Sequence, residues 1–277
     1  MGIIVQEIFS KKILTEAKGY LDVGFTHSLN PYSGCAFSCR YCYVREMPIQ
    51  RFKEIPWGEW IDIKTNAAEN YRNEIIKLRK KNKPVNIFMS SATDPYQPIE
   101  RTANIVREIL KVMIENPPDS LWVQTRSPLI TKDIDLLAVL KEKCKVLVSM
   151  TVETDREDIK QIFAPFAPGI NLRLKALKEI HDAGITTQAS ISPVLPFTSD
   201  FPKVLERIVD HIWIDTLTIG DGAKGKRSER LGMPMLFKDH DLSKWYRKDI
   251  HVMVEKYFHK YFPSEMIRVS KQEAFLE

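Results

Sequence analysis

The sequence predicts an α/β chain folded as a partial (βα)6 TIM-type barrel. Two patterns predict it: short apolar runs of strand length recur along the chain, and segments with apolar residues at helical spacing lie between them. Length agrees, since 277 residues are many for an ordinary domain and usual for an α/β barrel. Strand–helix alternation implies parallel strands joined by right-handed crossovers.

The first strand is expected before the clustered cysteines, over residues 24–30. Five apolar runs follow as buried strands, at 85–90, 121–125, 146–151, 187–191 and 212–219. Helical spacing marks 57–81, then 102–114 with Ile105, Ile109, Val112 and Met113 in phase, then 133–141. The next helix, 172–183, is closed by Gly184 as a C-cap, and 202–210 completes the set. The tail 242–262 reads as a closing helix with Trp245, Ile250, Val254 and Phe258 on its apolar face. One domain is expected, with an extension over 1–22, a barrel core over 23–219, and a loop and closing helix over 220–277. Six units leave the barrel open, and chemistry belongs at the C-terminal ends of its strands.

Composition excludes several classes. Hydrophobic residues make up 44% and charged residues 28%, the balance of a soluble globular chain. No stretch nears the roughly 18 apolar residues of a membrane span, and the N-terminus lacks a signal-peptide pattern, so a cytoplasmic protein without membrane attachment is expected. A net charge of +5 is mild for a dedicated nucleic-acid binder. The basic run 79–83 reads as a solvated helix end, and 224–230 as a polar loop able to reach a phosphate or carboxylate.

Three of the four cysteines, Cys35, Cys39 and Cys42, lie within eight residues at C-x3-C-x2-C spacing, which points to metal rather than to disulfides. Cys144 stands apart, as a buried structural thiol. Thiolates suit iron–sulfur clusters. Three ligands on a four-iron cubane leave one iron open, as in a catalytic rather than a closed structural site. Zinc, with His27 or Cys144 as fourth ligand, is the competing reading, and the second cysteine pair usual in zinc motifs is missing. Tyr41, between the second and third cysteines, completes the C-x3-C-x-aromatic-C pattern of the radical S-adenosylmethionine (SAM) superfamily.

The chain resembles the spore photoproduct lyase-like branch of that superfamily. The resemblance runs from about Lys12 to Ile219 and rests on HSLNPYSGCAFSCRYCYVRE, SSATDPYQPIE, QTRSPLITKDIDLL, VSMTVETD, FAPFAPGINLRLKALKEIHDAGI and SISPVLPF. It implies a [4Fe-4S] cluster on Cys35, Cys39 and Cys42. SAM would chelate the open iron and be cleaved reductively to a 5'-deoxyadenosyl radical that abstracts hydrogen from a substrate. Tyr41 would pack near adenine. Ser90, Ser91, Thr93 and Asp94 would accept from the SAM ammonium, with Asp94 before Pro95 equally able to form a turn. Arg126 would meet the carboxylate, or stand as a solvated loop charge. Ser149 and Glu153 match ribose-contacting positions, with a core hydroxyl and a helix cap as their plainer readings. Backbone around Ser190 would flank adenine.

One departure stands out. Spore photoproduct lyases carry a hydrogen-donating cysteine where this chain has Ser91, whose O–H bond is far stronger than S–H. Tyr41 and Tyr43 flank Cys42 as a tyrosine pair does in the lyases, so Tyr43 keeps a place in the expected relay while its terminal thiol is gone. Four cysteines in all exclude further clusters ligated by cysteine. The expected substrate is a small polar ring compound in a closed pocket, a concrete candidate being queuine, a 7-deazaguanine base, in a carbon–carbon or carbon–nitrogen lyase reaction. Asp221 would accept from its purine-like edge, unless Asp221–Gly222 merely forms a turn, and residues 220–230 would act as a lid. Nucleic-acid repair is the alternative, with a non-catalytic iron–sulfur protein behind it. A donor such as flavodoxin or ferredoxin would supply the electron.

Overall fold

Eight strands form the main sheet of the computed structural model, which describes residues 2–270 and 274–275. The strands of the chain are β1 (Ile4–Ile8), β2 (Leu14–Glu16), β3 (His27–Leu29), β4 (Tyr32–Ser33), β5 (Trp60–Lys64), β6 (Asn86–Met89), β7 (Ser120–Thr125), β8 (Lys145–Thr151), β9 (Thr186–Ile191), β10 (His211–Ile214) and β11 (Ile267–Val269). The main sheet runs β11-β10-β9-β8-β7-β6-β3-β2 and is parallel except for β2, which pairs antiparallel with β3. Its six central strands, β3 and β6 to β10, are those expected of a partial barrel.

Side-chain alternation explains why these strands hold a site. Along β8, Val146, Val148 and Met150 join the core shared with the helices, while Ser149 and Thr151 point the other way. In β7 and β9, Leu121, Val123, Ala189 and Ile191 face the same core, and Trp122, Gln124, Gln188 and Ser190 line an inner cavity. The outer face is therefore oil and the inner face polar or aromatic. Helices Ala67–Arg79, Ile105–Glu115 and Ile170–Asp182 bury their apolar stripes on the oily face. After the last of these, Gly184 takes φ +71°, and Ile185 N donates back to Ile180 O at 3.3 Å, the C-cap expected there.

Several expected elements differ. The helix at 57–81 begins only at Ala67, because Ile61 and Ile63 fit a strand whose buried face packs on Tyr32. That strand, β5, joins β1 and β4 in a separate three-stranded sheet. The helix at 102–114 breaks at Asn104, which adopts φ 53° between two helical pieces. The strand at 212–219 stops at Ile214, and residues 215–220 turn over the barrel mouth. In place of one helix over 242–262 there is a short turn at Ser243–Trp245 and a helix at Ile250–Phe258, which buries Ile250, Val254 and Phe258 as expected. The segment after 220 also supplies β11, which extends the barrel beyond β10. Cys144 is half-buried just before β8, its thiol 3.7 Å from Leu140 O, rather than inside a strand.

Candidate active site

The cysteine loop leaves β4 and lies across the C-terminal ends of the strands. Gly34 starts it at φ +79°, where a Cβ would run into the Trp60 carbonyl, so the loop sits directly on β5. Thr93 Oγ1 donates to Gly34 O at 2.5 Å, and Ala36 N donates to Gln97 Oε1 at 2.9 Å, tying it to the loop after β6. Arg45 gathers the cysteine backbone from outside, with Nε 3.1 Å from Cys39 O and Nη2 2.9 Å from Ser38 O.

Cys35, Cys39 and Cys42 line one cavity together with Ser90, Ser91, Thr93, Asp94, Arg126 and Ser190. Burial pushes all three thiols upward, Cys42 to about 11, so their ionised forms require a bound cation or cluster. Among the described residues, no three His, Cys, Asp or Glu side chains converge on a single ion position. A cubane, by contrast, spreads its ligands over separate irons. Three thiols facing one cavity are a donor set that fits an iron–sulfur cluster.

Tyr41, Arg126 and Glu153 come together from three elements. Arg126 Nη1 lies 2.5 Å from Glu153 Oε1 and 2.7 Å from the Tyr41 hydroxyl, which itself donates to Glu153 Oε1. The other carboxylate oxygen accepts from Arg173 Nη1 at 2.6 Å, and Arg173, on helix Ile170–Asp182, is wholly buried. Burial works to raise Glu153, but Arg173 and Arg126 outweigh it and hold the carboxyl down at about 2. Glu153 is thus the counter-ion of two guanidiniums and does not cap the following helix. The buried Ser149 hydroxyl accepts from Gln188 Nε2 at 2.7 Å inside the barrel, which matches its plainer reading as a core hydroxyl.

Asp94 is committed as well. Its Oδ1 accepts from Thr125 Oγ1 at 2.7 Å and Tyr96 N at 2.9 Å, and its Oδ2 from Arg126 N at 2.8 Å. It forms the turn its sequence allowed and pins the end of β6 to that of β7. Ser90 has φ 108° at the strand end and a buried hydroxyl without a partner among the described residues. Tyr43 donates to Ser91 O at 2.6 Å, while Ser91 Oγ accepts from Asn30 Nδ2 at 3.2 Å. Tyr43 and Ser91 are therefore adjacent.

Asp221 forms the turn that its sequence allowed. Both oxygens accept from the following loop, from Ala223 N, Gly225 N, Arg227 N and Ser228 N at 2.7 to 3.3 Å. Those bonds start helix Lys226–Arg230, where a loop was expected, and Arg230 pairs with Glu46 of the cysteine loop at 2.7 Å. The segment does cover the barrel mouth, where Gly220, Asp221 and Ser228 line the cavity.

Sequence reasoning missed the depth of the cavity. Phe25, Phe88, Trp122 and Trp213 form its aromatic floor, with ring centroids 5.0 to 6.2 Å apart. Asp215, Ser192 and Ser270 line its side, at the ends of β10, β9 and β11. The rule that chemistry sits at strand ends would have found Ser192. Asp215 was hidden because its strand was drawn too long, and Ser270 because β11 was not foreseen.

A family model described as the radical SAM superfamily matches residues 29–208. An uncharacterized protein of Methanocaldococcus jannaschii is 32% identical over 182 residues, covering 66% of this chain and 65% of that one. An uncharacterized protein of Mycobacterium tuberculosis is 25% identical over 215 residues, covering 76% of this chain and 62% of that one. The chain thus spans just under two thirds of the length of the curated relatives it matches. A solved spore photoproduct lyase mutant with bound AdoMet and dinucleoside spore photoproduct superposes with a TM-score of 0.68 at 12% identity, over 98% of this chain and 82% of that one. Another lyase mutant gives 0.67, again at 12% identity, over 97% and 82%. At that identity the likeness is one of fold. Among the described residues, no helix is long and apolar enough to cross a membrane.

Proposed function

The chain belongs to the radical SAM superfamily, whose members use a [4Fe-4S] cluster and SAM, and from that premise we propose that it acts on a small, flat, polar ring compound as a lyase. The observation that carries this reading is the cavity. It runs from Cys35, Cys39 and Cys42 past the Ser90–Asp94 loop and Arg126 to a floor of four aromatic rings. Flat apolar walls with a few polar groups suit a ring compound better than a charged backbone.

When bound at the cysteines, cluster and SAM supply a carbon radical able to abstract hydrogen. The chain's own residues hold and aim. Cys35, Cys39 and Cys42 provide the thiolates. Ser90, Ser91 and Thr93 place oxygens beside them, where the SAM ammonium wants acceptors, with Ser190 across the cavity to flank adenine. Arg126, held by Tyr41 and Glu153, offers its guanidinium to the SAM carboxylate. The aromatic floor excludes water from the far end. Tyr43 touches Ser91 rather than a thiol, so no S–H group stands where a photoproduct lyase needs one. A 7-deazaguanine base such as queuine is the substrate this reading favours, with a reducing protein such as flavodoxin or ferredoxin as electron donor. The dinucleoside seen in a structural neighbour gives the competing reading, nucleic-acid repair.

The test is anaerobic turnover of the reconstituted chain with SAM and dithionite, following 5'-deoxyadenosine by chromatography. Added queuine is expected to raise its formation and to be consumed, whereas a dinucleoside spore photoproduct is expected to be left intact. Multiple turnovers of photoproduct to thymine, with no response to queuine, would reverse the assignment.

A further inference from the structure

Three strand ends lie side by side at the mouth of the barrel, on the flank away from β3 and β6. Asp215 N donates to Ile191 O at 3.0 Å, Val194 N to Asp215 O at 2.8 Å, and Ser270 N to Ile214 O at 2.9 Å. This pairing brings Ser192, Asp215 and Ser270 together on the cavity wall. Trp213, two residues before Asp215 and so on the same face of the strand, packs edge-on against Trp122 with centroids 5.9 Å apart.

We propose that Asp215, flanked by Ser192 and Ser270, selects the substrate by accepting hydrogen bonds from paired N–H groups on the edge of a flat heteroaromatic base seated over Trp213 and Trp122. This rests on the small-ring reading above and names the group that would recognise the ring.

Four observations support it. Asp215 differs from the other carboxylates at the mouth: Glu153 pairs with two guanidiniums, Asp94 lies beside the Arg126 guanidinium, and both oxygens of Asp221 are taken up by four backbone amides. For Asp215 the strongest neighbours are the Thr216 amide, donating at 2.7 Å, the hydroxyls of Ser270 and Ser192, and the negative charge of Asp221, and none is a cation. Burial therefore dominates, raising the carboxyl to about 7. Gly220 leaves the carboxylate its room, because a Cβ there would run into it. Finally, the Trp122 indole N–H and Gln188 Oε1 are buried in the wall of the same cavity without partners among the described residues, as expected of a chamber built for a polar ring.

The experiment is calorimetry on the anaerobically reconstituted chain with SAM, using 7-deazaguanine and its ring-N-methylated analogue as probes, from pH 6 to pH 8.5. The wild type is expected to bind 7-deazaguanine more tightly as pH rises through about 7, since the ionised carboxylate is the better acceptor. The methylated analogue should bind at least about tenfold more weakly. Asp215→Asn should lose a similar factor together with the pH dependence, and Ser270→Ala a smaller one. Melting curves and cluster absorbance report whether each variant is folded, and the methylated probe tests the idea without any substitution. Wild-type affinity and pH profile in Asp215→Asn, or equal binding of both probes, would overturn the inference while leaving the small-ring reading in place. Absence of deazaguanine binding by the wild type would instead overturn the reading on which it rests.

Discussion

Removing the Glu153 carboxylate tests the electrostatics of the site most severely. Glu153→Ala leaves Arg126 and Arg173 facing each other without a counter-ion, and Arg173 is fully buried with Nε and Nη2 already unpartnered. Deleting one partner of a buried ion pair costs about 3–5 kcal/mol, because the remaining charge stays desolvated. Ionisation leads to a similar figure. A carboxyl held at about 2 against an ordinary 4.5 is worth roughly 3 kcal/mol, at about 1.4 kcal/mol per pH unit. The folded value is the lower one, so this stability is present above about pH 4.5 and fades as pH falls toward 2. Urea unfolding at pH 7 should therefore place Glu153→Ala about 3–5 kcal/mol below the wild type, with a melting temperature roughly 10 °C lower. The gap should narrow below about pH 4.5. Asp158→Asn, which removes an exposed partner of Arg156, is the control and should cost under about 1 kcal/mol. A Glu153→Ala protein within about 1 kcal/mol of wild type at pH 7, or a gap that does not change with pH, would refute the reasoning.

Two more outcomes follow from the cysteine loop. Changing Cys35, Cys39 and Cys42 together to Ala should abolish both the visible cluster absorbance and 5'-deoxyadenosine formation, and SAM cleavage surviving in that variant would remove the cysteines from the chemistry. Gly34→Ala should cost about 2–4 kcal/mol, because a side chain at φ +79° would meet the Trp60 carbonyl, and the reconstituted protein should hold less iron per chain. Wild-type iron content and melting in that variant would show that the loop can lift off β5.

What the sequence determined by itself was whatever depends on local pattern. Apolar runs at 85–90, 121–125, 146–151 and 187–191 became strands because one face of each is buried under helices wherever the strand ends up. The spacing of Cys35, Cys39 and Cys42 marked the cluster loop because ligand geometry is set within eight residues. Tertiary structure decided everything that depends on who stands opposite. Trp60–Lys64 is a strand because β1 and β4 lie beside it, and Ile267–Val269 because β10 leaves an edge open. A carboxylate's role likewise depends on its neighbours. Asp94 and Asp221 were read as ligand acceptors or as turn formers, and in the fold backbone and hydroxyl donors from their own and adjoining loops reach them. Glu153 was offered to ribose, and two arginines reach it first, one of them from a helix some twenty residues onward. Asp215 passed unremarked in the sequence, since nothing nearby along the chain shows that Ser192 and Ser270 stand beside it. Burial and charge pairing act through space over a few ångströms, so only the folded chain could tell a carboxylate paired with guanidiniums, such as Glu153, from one whose strongest neighbours are an amide, hydroxyls and another carboxylate, such as Asp215.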